Sequence, residues 1–298
     1  MHVPIPRAAS VTHEHLLDVV HRYTRLSPAD RPVRILDAGC GTGQLIAYLS
    51  ANLPRLSPSL AFELYGFDVA GHGVQLNDYF DETHCFLSAE CPGVDWSGRL
   101  ALVRVGEPWP FADGFFDAVV SNQVLEHVGR HDQFFAEIAR TLRPGGFSVH
   151  LNPLRECLWE WHLQLPLVHR IRNYDVLLAF ITLCSRFGLG KYRSHRDRYT
   201  LSEYCESHAD YVHHFTNYLS YRGALGLAKR HGLRGSFRHT PGFYGRRLRR
   251  AVGGAPRFDS RGRHRAFSTW LAVFVLKRIS SVSLMLEKSE TYTRRNRA

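Results

Sequence analysis

An α/β doubly wound fold is the expectation for this chain, and three observations carry it. From residue 33 onward, short apolar runs that read as strands alternate with segments of helical period. The first run, VRILDAG at 33–39, is apolar without alternation, as suits a strand covered on both faces in a parallel sheet. It feeds ILDAGCGTGQL at 35–45, where glycine stands at every second position from Gly39 to Gly43 before a helical pattern begins. A glycine turn between a strand and a helix N-terminus leaves backbone N–H groups open to a ligand.

Each element follows in order. THEHLLDVVHRYTRL at 12–26 puts Leu16, Val19, Val20 and Tyr23 on one helical face, with Thr12 as N-cap and Pro28 ending the pattern. After the first strand, QLIAYLSANL at 44–53 is a helix stopped by Pro54. LAFELYGFDVA at 60–70 is the second strand and ends in an acid, Asp68; RLALVRVGE at 99–107 is the third and FFDAVVSNQ at 115–123 the fourth. Helix HDQFFAEIARTL at 131–142 and the turn RPGG at 143–146 lead into the fifth strand, FSVHLN at 147–152. The pattern then breaks over 153–199, which reads as an insertion over the site. FTNYLSYRGALGLAKRHGL at 215–233 is a helix closed by Gly232, and RGSFRHTPGF at 234–243 and TWLAVFVLKR at 269–278 are the closing strands. Between those two strands, GRRLRRAVGGAPRFDSRGRHR at 245–265 is a basic, glycine-bearing loop. The organisation is therefore 1–152 for an N-terminal helix and the first half of the sheet, 153–214 for an inserted lid, and 215–298 for the remainder of the same sheet.

A chain of 298 residues with 44% apolar side chains can bury an ordinary core. MHVPIPRAAS lacks the basic flank and apolar core of a leader, so a soluble, cytoplasmic protein is expected. The six cysteines, Cys40, Cys85, Cys91, Cys157, Cys184 and Cys205, contain no CxxC pair and read as reduced thiols. The apolar stretch 266–286 is cut by Lys277 and Arg278 into pieces too short to span a bilayer. Charge is divided unevenly: residues 1–150 carry 11 Lys and Arg against 17 Asp and Glu, and residues 151–298 carry 27 against 10. Two jobs for the two halves follow from that asymmetry.

The spacing D-x-G-x-G-x-G at 37–43 differs from the dinucleotide fingerprint and resembles motif I of the class I S-adenosylmethionine-dependent methyltransferases. WPFADGFFDAVVSNQVLEHV at 109–128 and RTLRPGGFSVHLNPL at 140–154 are similar to blocks of the UbiE/UbiG-like and type 11 methyltransferases, and the resemblance covers about residues 33–153. It implies a Rossmann-like seven-stranded sheet with helices on both faces, a lid after strand five, and S-adenosylmethionine as cofactor. Carried over residue by residue, Gly39, Cys40, Gly41 and Gly43 line the methionine end and Asp37 meets its ammonium. Asp68, with Val69 beside it, takes the ribose, Gly106 and Glu107 the adenine edge, and Gln123 a place beside the sulfonium. VGEPWPF at 105–111 is shorter than the family's stretch before its LPF block.

Methyl transfer needs alignment of acceptor, carbon and sulfur, and an alcohol acceptor also needs a base. Glu126 and His127 follow strand four at the carboxyl edge of the sheet, where ligands bind in open α/β folds. A second group, Glu156, Glu160, His162 and His169, lies in RECLWEWHLQLPLVHR at 155–170, just after strand five. Of these, His162 is preferred to His169 as base. The small-RNA 2′-O-methyltransferases carry E-x-x-E-H after strand four; QVLEH at 123–127 has Gln123 in place of the first glutamate, and no metal site is assigned. The acceptor expected is a hydroxyl on a small molecule, a saccharide or a lipid-linked carrier. A quinone-type C-methyltransferase and a non-catalytic S-adenosylmethionine-binding scaffold are the rivals, with an RNA 2′-O-methyltransferase as a minor reading. Clusters such as GRRLRR (245–250) and KYRSHRDR (191–198) suit an anionic partner (a phosphorylated lipid or glycan carrier, a membrane surface, an acidic small molecule or nucleic acid) or a solvated arginine surface, and nucleic acid ranks below lipid-linked or saccharide acceptors because no nucleic-acid-binding signature is present.

Overall fold

The sheet is built outward from the strand that the sequence makes most apolar. A computed structural model describes residues 5–25, 27–70, 79–258 and 266–290, with backbone alone over 266–269. The first half runs α1 (Val11–Thr24), β1 (Val33–Ala38), α2 (Gln44–Leu56), β2 (Phe62–Ala70), α3 (Tyr79–Glu90), β3 (Leu100–Arg104), β4 (Phe116–Asn122), α4 (His131–Thr141) and β5 (Leu142–Asn152). An insertion follows with β6 (Trp159–Glu160), β7 (Leu165–Pro166), α5 (Tyr174–Arg186) and α6 (Leu201–Phe215). The chain returns to the sheet through α7 (Tyr221–Arg230), β8 (Leu233–Ser236), α8 (Thr240–Ala251), α9 (Ala266–Leu276) and β9 (Val282–Lys288).

Seven strands lie in the order β3-β2-β1-β4-β5-β9-β8. The five from β3 to β5 are parallel, and β9 is antiparallel to both its neighbours. This is the Rossmann-like methyltransferase sheet expected above. Each central strand is covered twice: Ile35, Ala118 and Val120 face a core shared with α1, α2 and Leu87 of α3, while Leu36, Ala38 and Val119 face a core shared with α4 and α7. Burial on both faces is why β1 shows no polar alternation. The insertion has a third core of its own, running from Leu163 through Leu177 and Ile181 to Tyr204 and Val212.

Several local expectations need correction. Ser10, not Thr12, caps α1, its Oγ accepting from the Thr12 amide at 3.2 Å. The helix closes at Thr24, before Pro28, and Leu26 lies outside the described residues. Pro54 does not stop α2, which runs one more turn to Leu56. Residues 153–199 hold a hairpin and a full helix, α5, whose N-cap Asn173 accepts from the Val176 amide at 3.0 Å. The RPGG stretch lies within β5, where pairing with β4 slips register between Phe116 and Ala118.

The largest differences come at the end of the chain. The stretch 234–243 is strand only to Ser236; Pro241 then suits the first turn of α8, whose later residues are the start of the expected basic loop. Residues 259–265 of that loop lie outside the described residues. TWLAVFVLKR is not a strand but most of α9, and the strand in the sheet is β9, VSLMLEK. A uniformly apolar run of seven, Trp270 to Leu276, has no period to separate helix from strand. In β9, by contrast, Val282 through Glu287 are needed at the very centre of the second half of the sheet, flanked on both sides. Part of the basic half is also internal pairing: Arg246 meets Asp18 at 2.7 Å, Arg250 meets Glu14 at 3.3 Å, and Arg238 meets Glu287 at 2.7 Å.

Candidate functional site

The glycine loop is pinned to the tip of the neighbouring strand. The amides of Gly39 and Cys40 both donate to the Phe67 carbonyl, at 2.9 and 3.0 Å, and the Gly41 amide donates to Asp68 Oδ2 at 2.7 Å. Thr83 Oγ1 donates to the Gly41 carbonyl at 2.8 Å, fixing the loop from the α3 side. Gly39, Gly41 and Gly43 take positive φ angles of 80°, 50° and 77°, a region that L side chains rarely enter. A Cβ added at Gly39 would stand 2.6 Å from Val124 Cγ2.

A cleft of about 730 Å³ opens at the carboxyl ends of β1, β2, β3 and β4. Nine of the ten residues expected to hold the cofactor line it: Asp37, Gly39, Cys40, Gly41, Asp68, Val69, Gly106, Glu107 and Gln123. The tenth, Gly43, begins α2 beneath the loop, where an added Cβ would meet Leu87 at 2.8 Å. Asp37 is buried, and its Oδ1 has no hydrogen-bond partner among the described residues. Burial, and to a smaller extent the Asp68 carboxylate, holds its pKa well above the usual carboxylate range. Asp68 sits at the cleft mouth with Oδ1 receiving the Val69 amide at 2.7 Å. These features fit S-adenosylmethionine: a bare backbone cradle, an orphaned buried carboxylate for an ammonium, and a second carboxylate aimed by amides for a neutral diol.

Gln123 closes β4 at φ 57° and turns the chain into the short helical turn Leu125–His127. Its Nε2 donates to the Leu151 carbonyl at 3.2 Å and to Ser281 Oγ at 2.9 Å. A residue held at positive φ without being glycine marks the kind of strain that functional sites retain.

Three of the six residues named for acceptor chemistry converge as possible ligands across the chain. Glu126, His127 and His162 each offer one ligand atom, all within 4.8 Å of one another. His127 lines the cleft, and its Nδ1 donates to the Phe215 carbonyl at 2.8 Å. Burial raises the Glu126 carboxyl to about 8, against the opposing pull of His162. His162 Nδ1 donates to Glu160 Oε1 at 2.5 Å. Burial pulls the His162 pKa down, but the bond to Glu160 outweighs it and leaves the group above its ordinary value. Glu160 is fully buried and also receives the Tyr218 hydroxyl at 3.0 Å and the Leu163 amide at 2.7 Å. His169 is elsewhere: it packs at a tilt against Tyr218 with ring centroids 4.7 Å apart, Nε2 at 3.3 Å from the Arg155 carbonyl. Glu156 receives the Tyr221 amide at the start of α7, a capping role.

Sequence reasoning missed one wall of the cleft. His214, Phe215, Thr216 and Asn217 line it from the end of α6, and the Asn217 amide donates to the Glu126 carbonyl at 2.6 Å. Phe215, Thr216 and Asn217 fall in the stretch expected to open a helix at 215, whereas that helix begins at Tyr221, capped by Ser220. Trp109 and Phe134 on the opposite side were also missed as cleft residues. The WPF block that holds Trp109 was visible, and its position is set by Glu137, which takes the Trp109 amide at 2.7 Å, and by Arg140, which donates to the Trp109 and Phe111 carbonyls.

Comparison with known proteins agrees with this geometry. The family described as "Methyltransferase domain" matches residues 12–213. Among relatives, a phthiotriol/phenolphthiotriol dimycocerosates methyltransferase of Mycobacterium ulcerans is 28% identical over 166 residues, 54% of this chain and 54% of its own. A malonyl-[acyl-carrier protein] O-methyltransferase of Methylococcus capsulatus is 32% identical over 115 residues, 39% of this chain and 35% of its own. A protein of Mycolicibacterium smegmatis named "Probable S-adenosylmethionine-dependent methyltransferase" is 34% identical over 137 residues, 45% of this chain and 43% of its own. The chain thus spans about half, or less, of the length of the curated relatives it matches. With the glycine loop, the two carboxylates and the sheet order all in place, the match over residues 12–213 makes this chain a member of the methyltransferase-domain family, of the class I, S-adenosylmethionine-dependent kind.

Proposed function

We propose that the chain transfers a methyl group from S-adenosylmethionine to an oxygen of a lipid or lipid-linked acceptor. The observation that carries the donor half is Asp37, whose buried Oδ1 has no hydrogen-bond partner among the described residues and would take the donor's ammonium. In this reading Gly39, Cys40 and Gly41 hold the methionine end by backbone, Asp68 with Val69 holds the ribose, Gly106 and Glu107 flank the adenine, and Gln123 borders the sulfonium. The acceptor approaches the wall formed by His127, with Glu126 and His162 behind it. Two of the relatives are named for phthiotriol/phenolphthiotriol dimycocerosates and for malonyl-[acyl-carrier protein], which supports a lipid or lipid-linked acceptor over a saccharide.

Donor binding has a proton signature. The free Asp37 carboxyl holds its proton to unusually high pH because burial disfavours the charge; an ammonium against it restores the charge and lowers the pKa. More protons are bound in the free state than in the complex, so binding releases protons. Affinity rises with pH as the free-state carboxyl gives up its proton, as long as the pH stays below about 7.7–8.0, where α-amino groups themselves deprotonate. Calorimetry in two buffers of different ionisation enthalpy reads the release directly. Asp37→Asn is expected to abolish it and to weaken binding roughly 10- to 100-fold, the worth of one charge-assisted hydrogen bond. Affinity that falls as pH rises over that interval would contradict the role of Asp37. Incubation with labelled donor and fractionated cell extract then tests the acceptor: label in no lipid fraction sinks the lipid assignment, label on a quinone carbon favours the C-methyltransferase, and donor binding without any transfer favours a scaffold.

A second feature supports a lipid surface. Trp270, Leu271, Phe274, Val275 and Ile279 are exposed on and just beyond α9, with Lys277 and Arg278 among them. Leu158, Trp159 and Trp161 are exposed beside them; Trp161 Nε1 donates to the Ile279 carbonyl at 3.1 Å, one residue before His162. Aromatic and aliphatic side chains flanked by cations suit the interface of an anionic bilayer. No helix among the described residues is long and apolar enough to cross a membrane. Phosphatidylglycerol vesicles are expected to bind the protein and shift its tryptophan emission to the blue at low salt, with phosphatidylcholine vesicles weaker and Phe274→Ser weaker still. Equal indifference to both vesicles at low salt, or a stable dimer that buries this face instead, would remove the membrane contact.

A further inference from the structure

We propose that Glu126, His127 and His162 form a binding site for a single divalent transition-metal ion of the zinc type, with an open coordination position on the acceptor side of the cleft. The case starts from Glu126. Its side chain is fully buried, and among the described residues neither carboxylate oxygen has a hydrogen-bond partner outside its own residue. Buried carboxylates are otherwise hydrogen-bonded, paired with a cation or bound to a metal, so an unpartnered one calls for a missing ligand.

The two histidines supply the complementary donors. A carbonyl oxygen only accepts, so the 2.8 Å contact to Phe215 puts the His127 proton on Nδ1 and the lone pair on Nε2. The same holds for His162, whose Nδ1 donates to Glu160. An imidazole whose second nitrogen donates to a carbonyl or carboxylate is the arrangement that orients metal-binding histidines. Glu160 is itself fixed by Tyr218 and the Leu163 amide, so this outer support is rigid. One ligand atom from each of the three residues already lies within 4.8 Å of the others, and a small closing movement reaches the roughly 2.0–2.2 Å bonds that zinc makes to nitrogen and carboxylate oxygen. Two imidazoles and one carboxylate suit zinc and its neighbours and leave a position open, whereas magnesium and calcium prefer oxygen alone. Gln123, tied to Leu151 and Ser281, takes no part.

The identity of the group in the open position, an oxygen of the acceptor, rests on the methyl-transfer reading. Metal binding does not rest on it, and the test keeps the two apart. Untagged protein stripped by chelation is titrated with Zn²⁺ by calorimetry and with Co²⁺ followed by its visible d–d absorption; S-adenosylhomocysteine binding is measured on the same samples. One ion per chain is expected, weakened at least roughly 100-fold in Glu126→Gln, His127→Gln and His162→Gln and about 10- to 100-fold in Glu160→Gln. His162→Gln and Glu160→Gln, which lie off the lining of the donor cleft, should bind S-adenosylhomocysteine within about threefold of the parent. His231→Gln, on the surface beside Asp132, should leave metal binding unchanged. Should Glu126→Gln fail to fold, His162→Gln and Glu160→Gln decide. The absence of a stoichiometric ion, or an affinity that survives His162→Gln, overturns the site; metal binding without donor binding upholds it and overturns the donor assignment instead.

Discussion

The Asp68→Ala variant is expected to bind S-adenosylmethionine and S-adenosylhomocysteine roughly 100- to 1,000-fold more weakly than the parent, the combined worth of two charge-assisted hydrogen bonds at about 1.5–3 kcal/mol each, partly offset by solvent. The magnitude comes from how the carboxylate is held. The amides of Gly41 and Val69 each donate to it at 2.7 Å, so it is already aimed when the ribose arrives and loses little freedom on binding. Its removal also releases Gly41, whose loop the carboxylate fastens to β2. Asp68→Asn keeps one acceptor and should fall between parent and alanine. Equilibrium dialysis reads all three; an alanine variant within about threefold of the parent would show that the ribose sits elsewhere.

Gly39→Ala is expected to be the second severe lesion, and for a steric reason. At φ 80° an L side chain costs about 1–2 kcal/mol, and the new methyl would stand 2.6 Å from Val124. Val124 lines the donor cleft, so either the loop or this wall must move. A fall in donor affinity of at least roughly 100-fold and a melting point lower by several degrees should follow. The double variant Gly39→Ala with Val124→Ala separates the two causes. It relieves the collision but not the backbone strain, so it should recover part of the loss and not all of it. Full recovery would mean that the backbone conformation is immaterial, and no recovery that the collision is.

What could be read from the sequence was what the chain states locally. The glycines, Asp37 at the end of β1 and Asp68 at the end of β2 lie on short segments whose neighbours in sequence are also neighbours in the site. Lid residues behave differently. His162 reaches Glu126 and His127 through the hairpin β6–β7, and Phe215 and Asn217 reach the same turn from the end of α6, placements that no local period encodes. The orphaned state of Glu126 is a tertiary fact too, since it depends on which groups fail to arrive. At the chain's end, a run without polar residues has no phase, so the stretch expected as a strand is α9 and the strand in the sheet is β9. The arginines of α8 were counted as a surface patch, yet two of them answer Asp18 and Glu14 on α1.

The antiparallel β9 has a bearing on how the protein comes to be assembled. It lies between β5 and β8, although β8 precedes it in the chain. During synthesis β8 therefore emerges with no neighbour to zip against, and the β5 ladder from Phe147 to Asn152 stays an open edge until residues 282–288 arrive. Open apolar edges recruit other chains. The nascent protein is thus most vulnerable to clumping after the strands around the cleft are formed and before one short segment fills the gap between β5 and β8.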